Sequence, residues 1–244
     1  MKILVCISHV PDTTSKIKFV DENTKFDTTG VQFIIGPYDD YALARAVELK
    51  ESIGSTTITV INVGLKETEP VIRKALAIGA DDAIRINSAP INSYFVASKI
   101  AEQAKDFDLI MMGRESIDYN GGVVHSMVAE ILGFPIVSPV MKLDIEGSVV
   151  KMTREIDGGQ EIVEAQLPLV VGCQEPIAEW KIPNMRGIMS ARTKPLKVVE
   201  VNSDDDFMES LKYELPPTKG AVQLISPDNI SELVSKLRNE AKVL

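Results

Sequence analysis

The feature that most constrains this chain is an alternation that runs from residue 1 to about 135. Short apolar runs take turns with longer stretches whose apolar residues recur at helical spacing. Repeated strand-helix-strand units require that pattern, and it points to an open, mostly parallel sheet flanked by helices. Lys2–Ile7, Thr57–Val63, Ala83–Ile86 and Leu109–Met112 are the strand candidates. Between them, Ala42, Ala46, Leu49 and Ile53 repeat at i, i+4, i+7 and i+11, after possible caps at Asp39 and Asp40 and before a stop at Gly54. Glu69-Pro70 opens a second helix that closes at Gly79, since proline is tolerated where the first turn has no amide partner. A third is expected over Asn92–Lys105. The fourth runs between Gly122 and Gly133 and carries Val124, Met127, Val128, Ile131 and Leu132 as one stripe.

After Pro135 the texture changes. Val137–Ile145, Val149–Arg154, Glu161–Gln166 and Leu169–Val171 read as strands parted by Glu146-Gly147 and Asp157-Gly158-Gly159, and the expectation here is added antiparallel hairpins. Residues 174–227 then carry six of the thirteen prolines among scattered apolar side chains, so they cannot build a core alone. They read as an extended C-terminal arm ending in an amphipathic helix over Pro227–Lys242, with Ile230, Leu233, Val234, Leu237 and Ala241 on one face. Two units are therefore expected, an α/β nucleotide-binding domain over 1–173 and an arm with its helix over 174–244. An arm ending in such a helix calls for a partner subunit.

At 244 residues and 45% apolar the chain can bury a substantial core. Its net charge of −9 argues against general affinity for nucleic acid or anionic lipid. Cys6 and Cys173 stand too far apart in sequence for a disulfide framework and lack zinc-type spacing. No uncharged apolar run approaches the roughly 20 residues that span a bilayer, and the opening apolar stretch is too short for a signal peptide. These features fit a cytoplasmic protein without membrane insertion.

The chain has no Gly-x-Gly-x-x-Gly after the first strand, no P-loop and no Gly-x-Ser-x-Gly elbow, and its histidines are His9 and His125 alone. Neither independent catalysis nor a metal site is expected. The best ligand site on physical grounds is the crevice at the carboxyl ends of the parallel strands. Loops after Cys6, after Val63 and from Gly113 to Val124 should meet there. Gly121 and Gly122 admit backbone amides to an anion at the start of the fourth helix, or simply form a turn and cap. Arg114 neutralises a phosphate in one reading and is an ion-paired surface residue in the other. Asp118 accepts from a ribose hydroxyl or caps a turn. Cys6 reads as a small buried strand residue, and Met185 and Met189 as a flexible contact surface.

Several segments together, in this order and spacing, resemble the beta subunit of the electron transfer flavoproteins over nearly the whole chain. They are Ile3–Thr13, Gly36–Ala42, Arg73–Asp81, Gly113–Asp118, Arg154–Glu161, Leu167–Val171 and Gly187–Pro195. The resemblance implies an adenine nucleotide alpha hydrolase-like fold and a heterodimer with an alpha subunit that holds most of an FAD. Beta in such a pair buries an AMP and serves as scaffold. Electrons would pass from dehydrogenases, such as the acyl-CoA dehydrogenases of fatty acid oxidation, to the FAD and on to a membrane quinone oxidoreductase. It carries AMP contacts onto Cys6, onto Gly36, Pro37, Tyr38 and Asp39, onto Val63, and onto Gly113, Arg114, Glu115, Ser116, Ile117, Asp118, Tyr119, Asn120, Gly121, Gly122, Val123 and Val124. Pro11, Asp12 and Thr13 become a minor FAD contact. Met185, with Ile188 and Met189, takes the place of an apolar anchor that docks into the dehydrogenase.

Two departures from the family pattern stand out. Gly122-Val123-Val124 replaces a polar Asn-Gln-Thr run, and Gly36 replaces an asparagine, so backbone amides are left to hold the phosphate. Other readings are a stand-alone adenine-nucleotide-binding or hydrolysing protein, and a bifurcating subunit with a second FAD in the AMP crevice.

Overall fold

The computed structural model describes residues 1–201, 208 and 210–244. In chain order the first half holds β1 (Lys2–Cys6), β2 (His9–Pro11), β3 (Phe19–Val20), β4 (Lys25–Phe26), β5 (Phe33–Ile35), α1 (Pro37–Ile53), β6 (Thr57–Val63), α2 (Glu69–Ile78), β7 (Asp82–Asn87), α3 (Ser93–Ala104), β8 (Leu109–Gly113) and α4 (Val124–Leu132). The second half adds β9 (Ile136–Glu146), β10 (Val149–Ile156), β11 (Gly159–Gln166), β12 (Leu169–Cys173), α5 (Met185–Ala191), β13 (Leu196–Glu200) and α6 (Ile230–Asn239). α1 starts on Pro37 and stops at Gly54, whose φ of 82° suits glycine. Asn92 caps α3 by accepting from the Phe95 amide at 2.9 Å.

Nine strands form one sheet in the order β11-β10-β9-β12-β8-β1-β6-β7-β13. From β9 to β13 every neighbouring pair is parallel, while β10 pairs antiparallel with both β9 and β11. The open, mostly parallel sheet flanked by helices is therefore as expected. One expectation is corrected: β12 is not part of an antiparallel hairpin but runs parallel between β8 and β9. All five of its residues are buried, so the alternation that marks a one-faced hairpin strand is absent. Within residues 174–201 the chain is not wholly extended, because α5 packs by α2 and β13 joins the sheet edge beside β7. The last helix is shorter than expected, opening at its Asn229 cap.

Side chains alternate across the sheet into two cores. Ile3 and Val5 of β1, with Ile58 and Val60 of β6, pack under α1 and α2. Leu4 and Cys6, with Ile61 and Val63, pack under α3 and α4. The chain travels β1, β6, β7 in one direction, then returns through α3 to β8 on the other side of β1. That reversal opens a crevice where β1 and β8 end.

Candidate functional site

The crevice is held by one buried carboxylate. Asp39, in the first turn of α1, is 6% exposed. Its Oδ2 accepts from the Ser8 amide at 2.8 Å and from Ser8 Oγ at 2.5 Å, and its Oδ1 accepts from the Gly113 amide at 2.8 Å. Asp39 thus bridges the exit of β1 to the end of β8, the two strands that part at the topological switch. Burial pushes its carboxyl up to about 6, against the lowering effect of these three hydrogen bonds.

The glycines around it supply room. A Cβ on Gly36 would lie 2.6 Å from Asp39 Oδ2, and one on Gly113 would lie 2.7 Å from Asp39 Oδ1 and from Tyr38 Cβ. Gly36, read from sequence as a lost polar donor, is here the residue that lets Ser8 and Asp39 meet. Cys6 and Val63, which end β1 and β6, and Met112, next to the end of β8, lie in the same apolar cluster beneath α3 and α4. The Cys6 thiol is buried and pushed well up by desolvation, which fits the small-strand-residue reading rather than a reactive one.

The loop from Gly113 to Val124 is a short hairpin closed by a bridge between Ser116 and Gly121. The Asp118 carboxylate accepts from the Tyr119 amide, its neighbour in the loop, at 2.9 Å. Arg114 Nη1 donates to Gln174 Oε1 at 2.6 Å, and Gln174 Nε2 donates onward to Glu155 at 2.7 Å. The Arg114 guanidinium also lies 5.7 Å from the Tyr38 ring centre. Glu115 and Ile117 are half-buried, whereas Asn120 sits at the exposed tip with φ of 51°. Tyr119 stacks on Tyr213 of the arm at 6.2 Å, and Tyr213 stacks on Phe19 of the β3–β4 hairpin at 5.1 Å. Sequence reading missed that arm contact, because nothing in a proline-rich stretch marks one ring for burial.

α4 follows with Val123 as its N-cap, and no side chain caps it. A Cβ on Gly121 would meet nothing within 4 Å, and the first turn carries no acidic residue. The start of α4 is thus open to an anion, with backbone amides as donors. His125, the second residue of α4, is buried and bonded to Ser138 Oγ at 2.8 Å. Desolvation lowers its imidazole below the usual range, so it stays neutral packing material.

Pro11 ends β2 and Asp12 and Thr13 follow it; β2 pairs antiparallel with β5 and so lies beside the Gly36 entry to α1. Asp12 Oδ1 accepts from Thr14 through its amide at 2.9 Å and its hydroxyl at 2.6 Å, bonds that hold the carboxyl below the usual range. Thr13 is left exposed.

On the far side of the sheet edge, Asn184 caps α5 by accepting from the Gly187 amide at 2.8 Å. The helix buries Ala191 alone and turns Met185 (73% exposed), Ile188 and Met189 outward. These three are brought together with one another but not with the crevice residues. Among the described residues no helix is long and apolar enough to cross a membrane.

A family model described as an electron transfer flavoprotein domain matches residues 23–204. Across its full length the chain is 36% identical to the electron transfer flavoprotein subunit beta of Bacillus subtilis (strain 168), all of which is covered. It is 33% identical to the subunit of the same name from Syntrophomonas wolfei, covering all of this chain and 98% of that one. It is 30% identical, with both chains fully covered, to the mitochondrial electron transfer flavoprotein subunit beta of Arabidopsis thaliana.

Proposed function

The chain belongs to the electron transfer flavoprotein family, with its beta subunits, and from that membership we propose that it pairs with an alpha subunit to relay electrons without catalysis of its own. The observation that carries this reading is the C-terminal arm. α6 buries none of its residues, and Ile230, Leu233 and Val234 lie on its surface. Leu211, Leu215, Val222 and Leu224 are exposed as well. An amphipathic helix and a run of bare apolar side chains are what a chain presents when a partner completes the burial. A stand-alone nucleotide hydrolase leaves them without a role.

In this reading the crevice takes AMP, with the phosphate on the open start of α4 and the amides of Gly121 and Gly122. The residues fit: no carboxylate competes in the first turn of α4, and Asp39 is already satisfied inside the chain. FAD, bound mainly by the alpha subunit, supplies the redox chemistry when present. Pro11, Asp12 and Thr13 offer backbone and a small hydroxyl to its edge. α5 offers three exposed apolar side chains to a dehydrogenase such as an acyl-CoA dehydrogenase, and the reduced pair then delivers to a membrane quinone oxidoreductase. Methionine suits a contact that must form and release quickly.

The test is to co-express the chain with its alpha subunit, purify the complex and quantify the FAD and AMP released on denaturation. One of each per heterodimer is the expected result. Two FAD would replace AMP with a second flavin, and no complex would overturn the reading. Met185→Ala should raise the KM for reduction by an acyl-CoA dehydrogenase about tenfold, the scale of an interface anchor, with FAD content unchanged. Steady-state reduction at varied flavoprotein concentration measures it.

A further inference from the structure

α5 has seven residues and buries one side chain, too little to hold a helix in one place by apolar packing. What holds it is an exchange of cations with α2. Arg73, in α2, donates through Nη1 to the carbonyls of Ala191 and Lys194, both at 2.8 Å. Lys194, just past α5, donates back through Nζ to the carbonyls of Leu76 at 2.8 Å and Ala80 at 2.6 Å. Leu76 and Ala191 lie in the last turns of α2 and α5, where carbonyls lack intrahelical partners and the helix dipole favours positive charge, and Ala80 and Lys194 lie just past those ends. Neither side chain makes a described ion pair, so its hydrogen-bonding capacity goes into this joint. Burial holds the Lys194 ammonium below its usual range, as a partly enclosed cation should show.

We propose that Arg73 and Lys194 are positioning residues for dehydrogenase docking: their reciprocal capping of α2 and α5 fixes the orientation in which Met185, Ile188 and Met189 face a partner. The proposal rests on the docking role of α5 and adds the device that sets its geometry. Neither cation touches the partner. Both act through the helix.

The test uses the co-purified heterodimer carrying Arg73→Met, Met185→Ala, or both, reduced by an acyl-CoA dehydrogenase and its acyl-CoA substrate. Arg73→Met should raise the KM for the flavoprotein by about three- to tenfold while leaving kcat, FAD content and direct reduction by dithionite unchanged. Lys194→Met should do the same, and Arg73→Lys, which keeps the charge on a shorter side chain without the guanidinium's fixed geometry, should recover part of the loss. The double variant should fall short of the product of the two single effects, because Arg73 acts through α5 and with Met185 removed only Ile188 and Met189 are left to position. An unchanged KM in Arg73→Met, or effects that multiply in the double variant, would overturn the proposal. A normal KM in Met185→Ala would instead remove the docking role of α5 on which it stands.

Discussion

Replacing Asp39 by alanine is expected to lower the melting temperature of the heterodimer by roughly 10 °C and to strip it of nucleotide. The substitution leaves the partly buried Ser8 and Gly113 amides without their acceptor. Each stranded buried donor costs about 1–3 kcal/mol, and about 1 kcal/mol moves the midpoint by roughly 2–4 °C in a chain of this size. Asp39→Asn should be milder but still harmful, by about 1–3 kcal/mol. The carboxylate accepts on both sides, whereas an amide has one oxygen, so in either orientation its NH2 faces a backbone N–H. Because the same carboxylate joins the two walls of the crevice, AMP retention should fall together with stability. A melting scan of the three heterodimers, with nucleotide content measured in parallel, decides the matter. Asp39→Asn with normal stability would mean that the crevice is closed by something else.

The pH dependence carries the opposite sign from that of an ordinary ion-paired aspartate. The folded chain holds the Asp39 proton up to about pH 6, against 3.8 for an unperturbed aspartate. Between those values the folded state binds a proton that the unfolded chain has released, so stability from this group is full below about pH 4 and is lost as pH rises to about 6. The shift corresponds to about 3 kcal/mol. Protonation is tolerated because Ser8 Oγ can turn from donor to acceptor and take the new O–H, while Ser8 and Gly113 amides keep their partners. Asp39→Asn should abolish this slope, which melting curves collected from pH 4 to pH 7 would display as a flattened difference from the unsubstituted heterodimer.

Much of the frame was legible in the sequence, and the reasons are physical. α1 and α4 carry their apolar residues at helical spacing and meet glycine at their ends, so period and punctuation agree. β6 is seven residues long and β-branched at every position but Asn62, which marks it as a strand. What escaped was set by partners distant in sequence. β12 reads as one more strand after two hairpins, and only its neighbours β8 and β9 make it parallel. β13 pairs with β7, more than a hundred residues earlier, and its half-exposed edge pattern resembles the arm around it. At the site, the loops fall at the strand ends, and what sequence could not reveal is that Gly36 also leaves the space in which Ser8 and Asp39 meet, because that depends on where Asp39 lies. Arg114 likewise found Gln174, sixty residues away, which no local spacing announces.

The same logic of space governs the docking helix, where Gly187→Ala should slow reduction by the dehydrogenase by about tenfold or more while leaving FAD content intact. A Cβ on Gly187 would come closer than 3.0 Å to the backbone oxygen of Ala77 in α2, and a carbonyl inside a helix cannot swing aside as a side chain can. α5 must therefore lift. Lifting stretches the Arg73 bonds to Ala191 and Lys194 and the Lys194 bonds to Leu76 and Ala80, so one methyl group works against four hydrogen bonds. Overpacking of this kind costs typically about 1–3 kcal/mol, enough to displace a seven-residue helix but small beside the stability of the sheet. The loss should appear as raised KM, since the anchor side chains remain but face the wrong way. It should exceed that of Met185→Ala, because Ile188 and Met189 move with the helix. If Gly187→Ala reduces as fast as the unsubstituted heterodimer, the orientation of α5 is irrelevant to docking and the partner must read another surface.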